Sequence, residues 1–294
     1  SNGKKSTKEM LSWALKSLKP EKSHCTKGNF NNYIGVPITI FEMELEADYL
    51  ILEIGTNKPG EIRYLSELCL PDLSIISSIG QSHLESFKTE KNIFNEKTEL
   101  FEVTQRISLR KKCCFFSLFD EFLKEYSDKS RGFRHGPKVA EIRIDDIFPN
   151  KVNFEYLSVE YEFRFSNLIG KHHYQNFLNV LGVLVEGLGI KVAECLSALK
   201  NFEMSLNRGE WKEFDGKSYF MDCYNSNPSS LRASLESFTF ANKGTLDKTL
   251  FIIGEMYELG GESEKFHEIA GSFLKELLID NVIFVGSKNK SFIK

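Results

Sequence analysis

Five short runs constrain the fold of this chain more than any other feature: YLILEIG (49–55), LSIISSIG (73–80), KSYFMDC (217–223), TLFIIG (249–254) and NVIFVG (281–286). Each is short and β-rich, and most stop at a glycine, so each reads as a strand, the first of them as a buried one. Helix-period segments lie between them. Leu11, Ala14, Leu15 and Leu18 recur at helical spacing before Pro20. Further helices are predicted over 61–69, 91–104, 175–188, 192–201, 228–240 and 262–278. Strands alternating with helices predict an α/β fold built from parallel βαβ units. Residues 139–169 have another texture: EFRFSNL and the stretch before it alternate apolar with polar, as antiparallel edge strands do. The strand–helix rhythm restarts near 205–208, which predicts two units, 1–206 and 207–294.

The charge balance limits the partners. With 38 basic and 41 acidic residues the net charge is −3, which argues against nucleic acid or a membrane surface as ligand. No run approaches the roughly 20 apolar residues of a membrane span, and Ser1 to Lys8 has no signal-peptide pattern. The six cysteines form no C-x-x-C pair and read as reduced thiols, so a cytoplasmic protein is expected.

Several segments carry chemistry. S-N-G-K-K-S-T, followed by a helix, fits the second half of a P-loop, in which backbone N–H groups and a lysine hold phosphates and a hydroxyl holds Mg²⁺. Gly3 and Lys4 fit; the motif's first glycine would lie ahead of Ser1. Lys5 stands where the hydroxyl is expected, with Ser6 and Thr7 one and two places late. A lysine-rich helix start is the alternative. Glu53 ends a buried strand, where ligands of open α/β sheets collect. A carboxylate buried there needs a cation, either a metal or a nearby lysine. His83 follows the next strand by a short turn. Lys97, taken alone, reads as a solvated lysine on a helix face. Asp222 ends a strand, and Tyr224, Asn225 and Asn227 follow in a turn that either packs on a nucleotide or caps the helix started by Pro228.

GNFNNYIGVP, LEIGTNKPGEI, IGQSHLESF, FNEKTELFE, DCYNSNPSSLRASL and GEMYELGGES follow SNGKKSTKEM in this order, and together they resemble the Mur ligases. The resemblance is weakest over 105–165. It implies a P-loop central ATPase domain with a mostly parallel sheet, entered inside its P-loop and lacking its first strand, plus part of a Rossmann-like C-terminal domain. No counterpart of the uridine-nucleotide domain is present, so truncation at both ends is expected. Asn2, Gly3, Lys4, Lys5 and Ser6 would hold ATP. Glu53 and His83 would bind Mg²⁺, joined by Ser6 and by Lys97 if carbamylated; Lys4, His83 and Lys97 would be catalytic. Carbamylation needs a neutral amine, and so a lysine pKa lowered by burial or positive charge. Asn176 matches the family asparagine that reads the adenine, although His173 replaces a second asparagine. Arg208 would reach the ATP phosphates, with Asn207 in place of the family glycine; an ordinary linker arginine is the alternative. Asp222, Tyr224, Asn225 and Asn227 would complete the nucleotide site, and Asn29, Asn31 and Asn32 would touch the acceptor.

The implied activity is ATP-dependent amide ligation. A UDP-muramoyl-tripeptide is activated as an acyl phosphate and joined to D-alanyl-D-alanine by a monomeric enzyme. The alternatives are a Mur-type ligase with another amino-acid donor, or a non-catalytic nucleotide-binding fragment.

Overall fold

The computed structural model describes the chain apart from residues 1, 20–22, 81–83, 127–131, 138–139, 145–146, 205–206, 243 and 294. It opens with helix α1 (Lys4–Leu18), strand β1 (Ser23–Cys25), α2 (Gly35–Phe41), β2 (Tyr49–Ile51), α3 (Glu61–Cys69), β3 (Ser74–Ile75), α4 (Leu84–Phe87) and α5 (Glu90–Ile107). The middle contains β4 (Cys114–Ser117), α6 (Glu121–Tyr126), β5 (Gly132–Gly136), β6 (Ile142–Arg143), β7 (Ile147–Phe148), β8 (Lys151–Tyr156), β9 (Val159–Phe163), α7 (Lys171–Gly182) and α8 (Val192–Leu199). The last part holds β10 (Glu210–Phe214), β11 (Lys217–Met221), α9 (Pro228–Ala241), β12 (Phe251–Gly254), α10 (Ser263–Glu276), β13 (Val282–Val285) and α11 (Asn289–Ile293).

The fold is α/β with parallel pairing at its centre. β3, β4, β5 and β6 run parallel in that order, and β8 joins β6 antiparallel and carries β7 and β9. The antiparallel texture expected over 139–169 is this β6–β9 patch. A separate parallel pair, β1 and β2, flanks α1. The two long strands expected at 49–55 and 73–80 pair only over β2 and β3. Between them lies a cleft of about 490 Å³, lined by Leu50, Leu52, Leu73 and Ile75 with Leu11 and Leu15 of α1 beneath.

One hydrophobic cluster joins α1, α7, α8 and the sheet through Met10, Leu15, Phe133, Phe154, Phe163, Tyr174, Phe177 and Leu181. Phe177 is fully buried and stacks on Phe163 with ring centroids 4.1 Å apart, edge-on to Phe154 and Phe165. A second cluster of Leu235, Phe251, Ile253, Phe273 and Leu274 fills the space between α9, α10 and the parallel pair β12 and β13.

The run 217–223 is not a member of that parallel pair. Its strand stops at Met221 and forms an antiparallel hairpin with β10. The turn is Asp215-Gly216, with φ of 50° and 68° at the two residues, the backbone that a two-residue hairpin loop requires. The strands β1, β4 and β5 and the helices α2 and α6 also lie outside the sequence expectations. Cys114–Ser117 is buried throughout, so it shows no alternation to read.

Phe177→Ala should destabilise the protein by roughly 3–5 kcal/mol, the usual range for truncating a fully buried aromatic. Urea denaturation measures it, and a loss below about 1 kcal/mol would mean that the ring stack does not hold the core together.

Candidate active site

The site begins at the start of α1. Gly3 precedes the helix in the left-handed region at φ 87°, and a Cβ placed there would lie 2.5 Å from Oδ1 of Asn176. Only glycine satisfies both conditions. This close approach sets the mouth of α1 against the start of α7. Asn2 is held from two further sides: its carbonyl accepts hydrogen bonds from Ser77 Oγ (2.6 Å) and Ser78 Oγ (3.1 Å) after β3. Its amide donates to Asn227 Oδ1 (3.2 Å) and Ser229 Oγ (2.9 Å), and its oxygen accepts from Asn227 Nδ2 (2.6 Å). Asn227 is also the N-cap of α9, in a capping box with Ser230.

Around this start opens a cavity of about 650 Å³. Asn2, Gly3, Lys4, Lys5, Ser6, Asn29, Asn31, Asn32, Glu53, Lys97, Asn176, Arg208, Asp222, Tyr224, Asn225 and Asn227 all line it. His83 lies outside the described residues. The remaining candidates, drawn from both halves of the chain, therefore share one cleft.

Glu53 is 7% exposed just beyond β2. Its Oε1 accepts from Asn31 Nδ2 at 2.8 Å, while Oε2 is buried without a hydrogen bond and lies 3.8 Å from Lys8 Nζ. Lys8, itself 6% exposed, donates to the carbonyls of Thr26 (2.9 Å) and Gly28 (3.1 Å). Both cations weighed for Glu53 thus remain relevant: a lysine stands near it, and one carboxylate oxygen stays available to a metal. Among the described residues no three His, Cys, Asp or Glu side chains cluster as a ready metal site. The fit to Mg²⁺ rests on that open oxygen and on the buried hydroxyl of Ser6.

Lys97 projects from α5 into the cavity rather than into solvent. Burial, reinforced by the Lys4 ammonium, pulls its pKa down to about 7. Burial also lowers the Lys4 pKa; Glu53 opposes this and Arg208 reinforces it. The neighbouring Glu96 is buried and accepts from the backbone N–H groups of Gly60 (2.8 Å) and Ile62 (2.9 Å), which pins the loop after Glu53 to α5.

On the far wall, Arg208 lies with Cζ 4.2 Å from the centre of the Tyr224 ring, and Lys5 Nζ lies 4.8 Å from the same centre. His172 and His173 sit with ring centres 3.9 Å apart, and each has a buried Nδ1 without a hydrogen bond. Burial lowers both pKa values, so both rings are neutral near pH 7.

The asparagine loop has structural roles not anticipated from its sequence. Asn31 orients Glu53, and its carbonyl accepts from Gly55 N–H at 2.7 Å. Asn32 Oδ1 accepts from the N–H groups of Ile34 and Gly35 and so starts α2. Asn29 lines the cavity. Sequence reasoning also missed Lys8, Glu96 and His172. A lysine four residues after Lys4 on a polar helix start gives no sign of burial, because the carbonyls that take its protons come from a loop folded over it.

A sequence profile described as the Mur ligase middle domain matches residues 1–184. The chain belongs to the Mur ligase family. Among relatives of this Mur ligase chain, the UDP-N-acetylmuramoyl-tripeptide–D-alanyl-D-alanine ligase of Bacillus subtilis is 30% identical, over 97% of this chain and 61% of that protein. The Rickettsia prowazekii enzyme of the same name is 28% identical, over 98% and 64%. Among solved structures, MurF from Acinetobacter baumannii superposes with a TM-score of 0.85 at 26% identity, over 100% of this chain and 63% of that one. The MurF ligase of Thermotoga maritima, solved in complex with ADP, gives 0.83 at 24% identity, over 99% and 66%, and supports the fold alone. This Mur ligase chain therefore spans about three-fifths of the length of those two curated relatives. Among the described residues no helix is long and apolar enough to cross a membrane.

The Lys97 shift makes stability depend on pH. Its folded pKa of about 7 lies below the unfolded value of 10.5, so between these pH values the unfolded chain binds more protons. In CO₂-free buffer, stability should rise from pH 7 towards pH 10, by at most about 1.4 kcal/mol per pH unit from this group. The Lys97→Met variant should show a flatter slope in denaturation series across that range. Equal slopes would mean that Lys97 is not desolvated.

Proposed function

We propose that these residues form the ATP-binding centre and part of the closing domain of a cytoplasmic, monomeric amide ligase. It would join D-alanyl-D-alanine to a UDP-muramoyl-tripeptide. The single observation that carries this reading is the convergence of Lys4, Glu53 and Lys97, from three separate elements, on one cavity that Arg208 and Tyr224 close from the other half of the chain. The names of the Bacillus subtilis and Rickettsia prowazekii relatives supply the substrates. The proposed division runs 1–206 and 207–294.

The Gly3 turn and the first N–H groups of α1 receive the ATP phosphates, and Lys4 meets the terminal one. The tripeptide carboxylate oxygen attacks the γ-phosphorus, an O–P bond forms, and the bond to the bridging oxygen breaks to release ADP. Lys4 and Arg208 balance the charge that spreads over the transferring group. The dipeptide amine then adds to the acyl carbon. The C–O bond to phosphate breaks, and the nitrogen gives up a proton as the amide forms. Activation is required because a bare carboxylate is a poor electrophile for an amine.

Lys97, neutral in substantial part near pH 7, attacks CO₂ through its nitrogen and loses a proton, becoming an anionic carbamate. Glu53, the Lys97 carbamate and Ser6 would hold Mg²⁺, with His83 as a further candidate; when bound, the ion neutralises phosphate charge. Asn176 and the paired histidines border the region for the base. Asn29 and the free amide protons of Asn32 are left to face the acceptor.

Phosphate release by the protein as the cell makes it should require ATP, the UDP-muramoyl-tripeptide and D-alanyl-D-alanine together. Lys4→Ala should lower kcat by about a hundredfold or more, the usual loss for a group that meets developing charge. Undiminished turnover in that variant, or full turnover with another amino-acid donor only, would defeat the reading.

A further inference from the structure

The residue after a P-loop lysine ordinarily offers a hydroxyl to the metal that accompanies the nucleotide. Here that residue is Lys5, whose ammonium has no lone pair and cannot ligate a cation. Its side chain is only 15% exposed, yet among the described residues it makes no hydrogen bond to an acceptor. Glu9 Oε1 lies 3.8 Å away on the next helical turn, beyond hydrogen-bond length. The ammonium is placed between that ion pair and the face of Tyr224, 4.8 Å from the ring centre.

Arg208 has the complementary problem on the same ring. Its guanidinium carbon is 4.2 Å from the ring centre, and its Nε is buried without a hydrogen-bond partner. Each cation gains from the aromatic face, but gathering two like charges on one ring beside Lys4 remains unfavourable, and the carboxylate of Glu9, 3.8 Å from Lys5, offsets it only in part. All four side chains line the same cavity. An arrangement of under-coordinated donors that share one support and face one cavity is built for a polyanion.

We propose that Lys5, steadied by Tyr224 and acting with Arg208, grips the nucleotide polyphosphate directly. It would thereby add its own charge to that of a metal held by Glu53 and Ser6. Nucleotide binding by this chain is then less dependent on divalent metal than binding with threonine at this position. Serine or threonine presents a neutral dipole, whereas lysine brings a full charge on a stem long enough to reach past the helix start. The inference rests on the ATP-site reading and concerns binding, not turnover.

Titration calorimetry of the purified protein with ADP, in Mg²⁺ and again in EDTA, tests it. Removing Mg²⁺ from the wild type should weaken Kd by no more than about tenfold, because charge-assisted contacts to Lys5 and Arg208 remain. In Lys5→Thr the same removal should weaken Kd by about a hundredfold or more, a dependence on Mg²⁺ about tenfold steeper than in the wild type. Lys5→Arg should behave as wild type, and Tyr224→Leu, which removes the support but not the charge, should fall between. The Tyr224 variant also keeps the test decisive should Lys5→Thr fail to fold by circular dichroism. Wild-type binding that collapses in EDTA as fully as that of Lys5→Thr would overturn the role of Lys5 and leave the ATP site standing. No ADP binding by the wild type even in Mg²⁺ would remove the nucleotide reading and this inference with it.

Discussion

The approach of Lys8 to Glu53 underlies the rest of the site. A carboxylate and an ammonium, each only 6% exposed in its side chain, face each other at 3.8 Å beneath the floor of the cavity. Neither is saturated by the other. Lys8 spends two protons on the carbonyls of Thr26 and Gly28, and Glu53 gives one oxygen to Asn31. The pair therefore fastens α1, the 26–32 loop and the end of β2 to one another, with Thr26 Oγ1 also accepting from the Glu53 N–H. Removing both charges from water is costly, and only the surrounding hydrogen bonds make the arrangement tolerable. What remains is one carboxylate oxygen held at the edge of the cavity without a hydrogen bond.

Above that floor the cavity is an electrostatic arrangement rather than an apolar pocket. Burial lowers the pKa of both Lys4 and Lys97, and the Lys4 ammonium lowers that of Lys97 further, so Lys97 sits near neutrality where an ordinary lysine would be fully charged. Lys5 and Arg208 share Tyr224 on the opposite wall. The two walls belong to different parts of the chain and meet through the reciprocal hydrogen bonds of Asn2 and Asn227. A site of this kind responds to an anionic ligand as a unit, because each cation becomes less costly when the others are neutralised.

Much of this was legible from sequence for identifiable reasons. Helix α3 occupies Glu61–Cys69, the span its periodicity predicts, because a glycine precedes it and Pro71 follows soon after. The strand-end rule located Glu53, and motif order placed Lys4, Lys97, Asn176, Arg208 and the Tyr224 turn in one cleft. What was not legible also has physical causes. The run 217–223 contains a strand as expected, but its antiparallel pairing follows from Asp215-Gly216, the hairpin signal just ahead of it. Asn31 and Asn32 line the cavity, and beyond that one orients a carboxylate and the other holds the first backbone N–H groups of α2, roles that an asparagine side chain takes as readily as ligand contact. The burial of Lys8 depends on a loop whose carbonyls turn inward, which no local pattern encodes.

The most direct measurement is a double-mutant cycle on unfolding free energy with Lys8→Met, Glu53→Gln and the pair together. Each single change strands a buried polar or charged partner and should cost about 3–5 kcal/mol. The double variant should recover part of that loss, giving a coupling of roughly 1–3 kcal/mol. Costs that add to within about 0.5 kcal/mol would show that the two groups do not depend on each other, and the floor of the site would need another explanation.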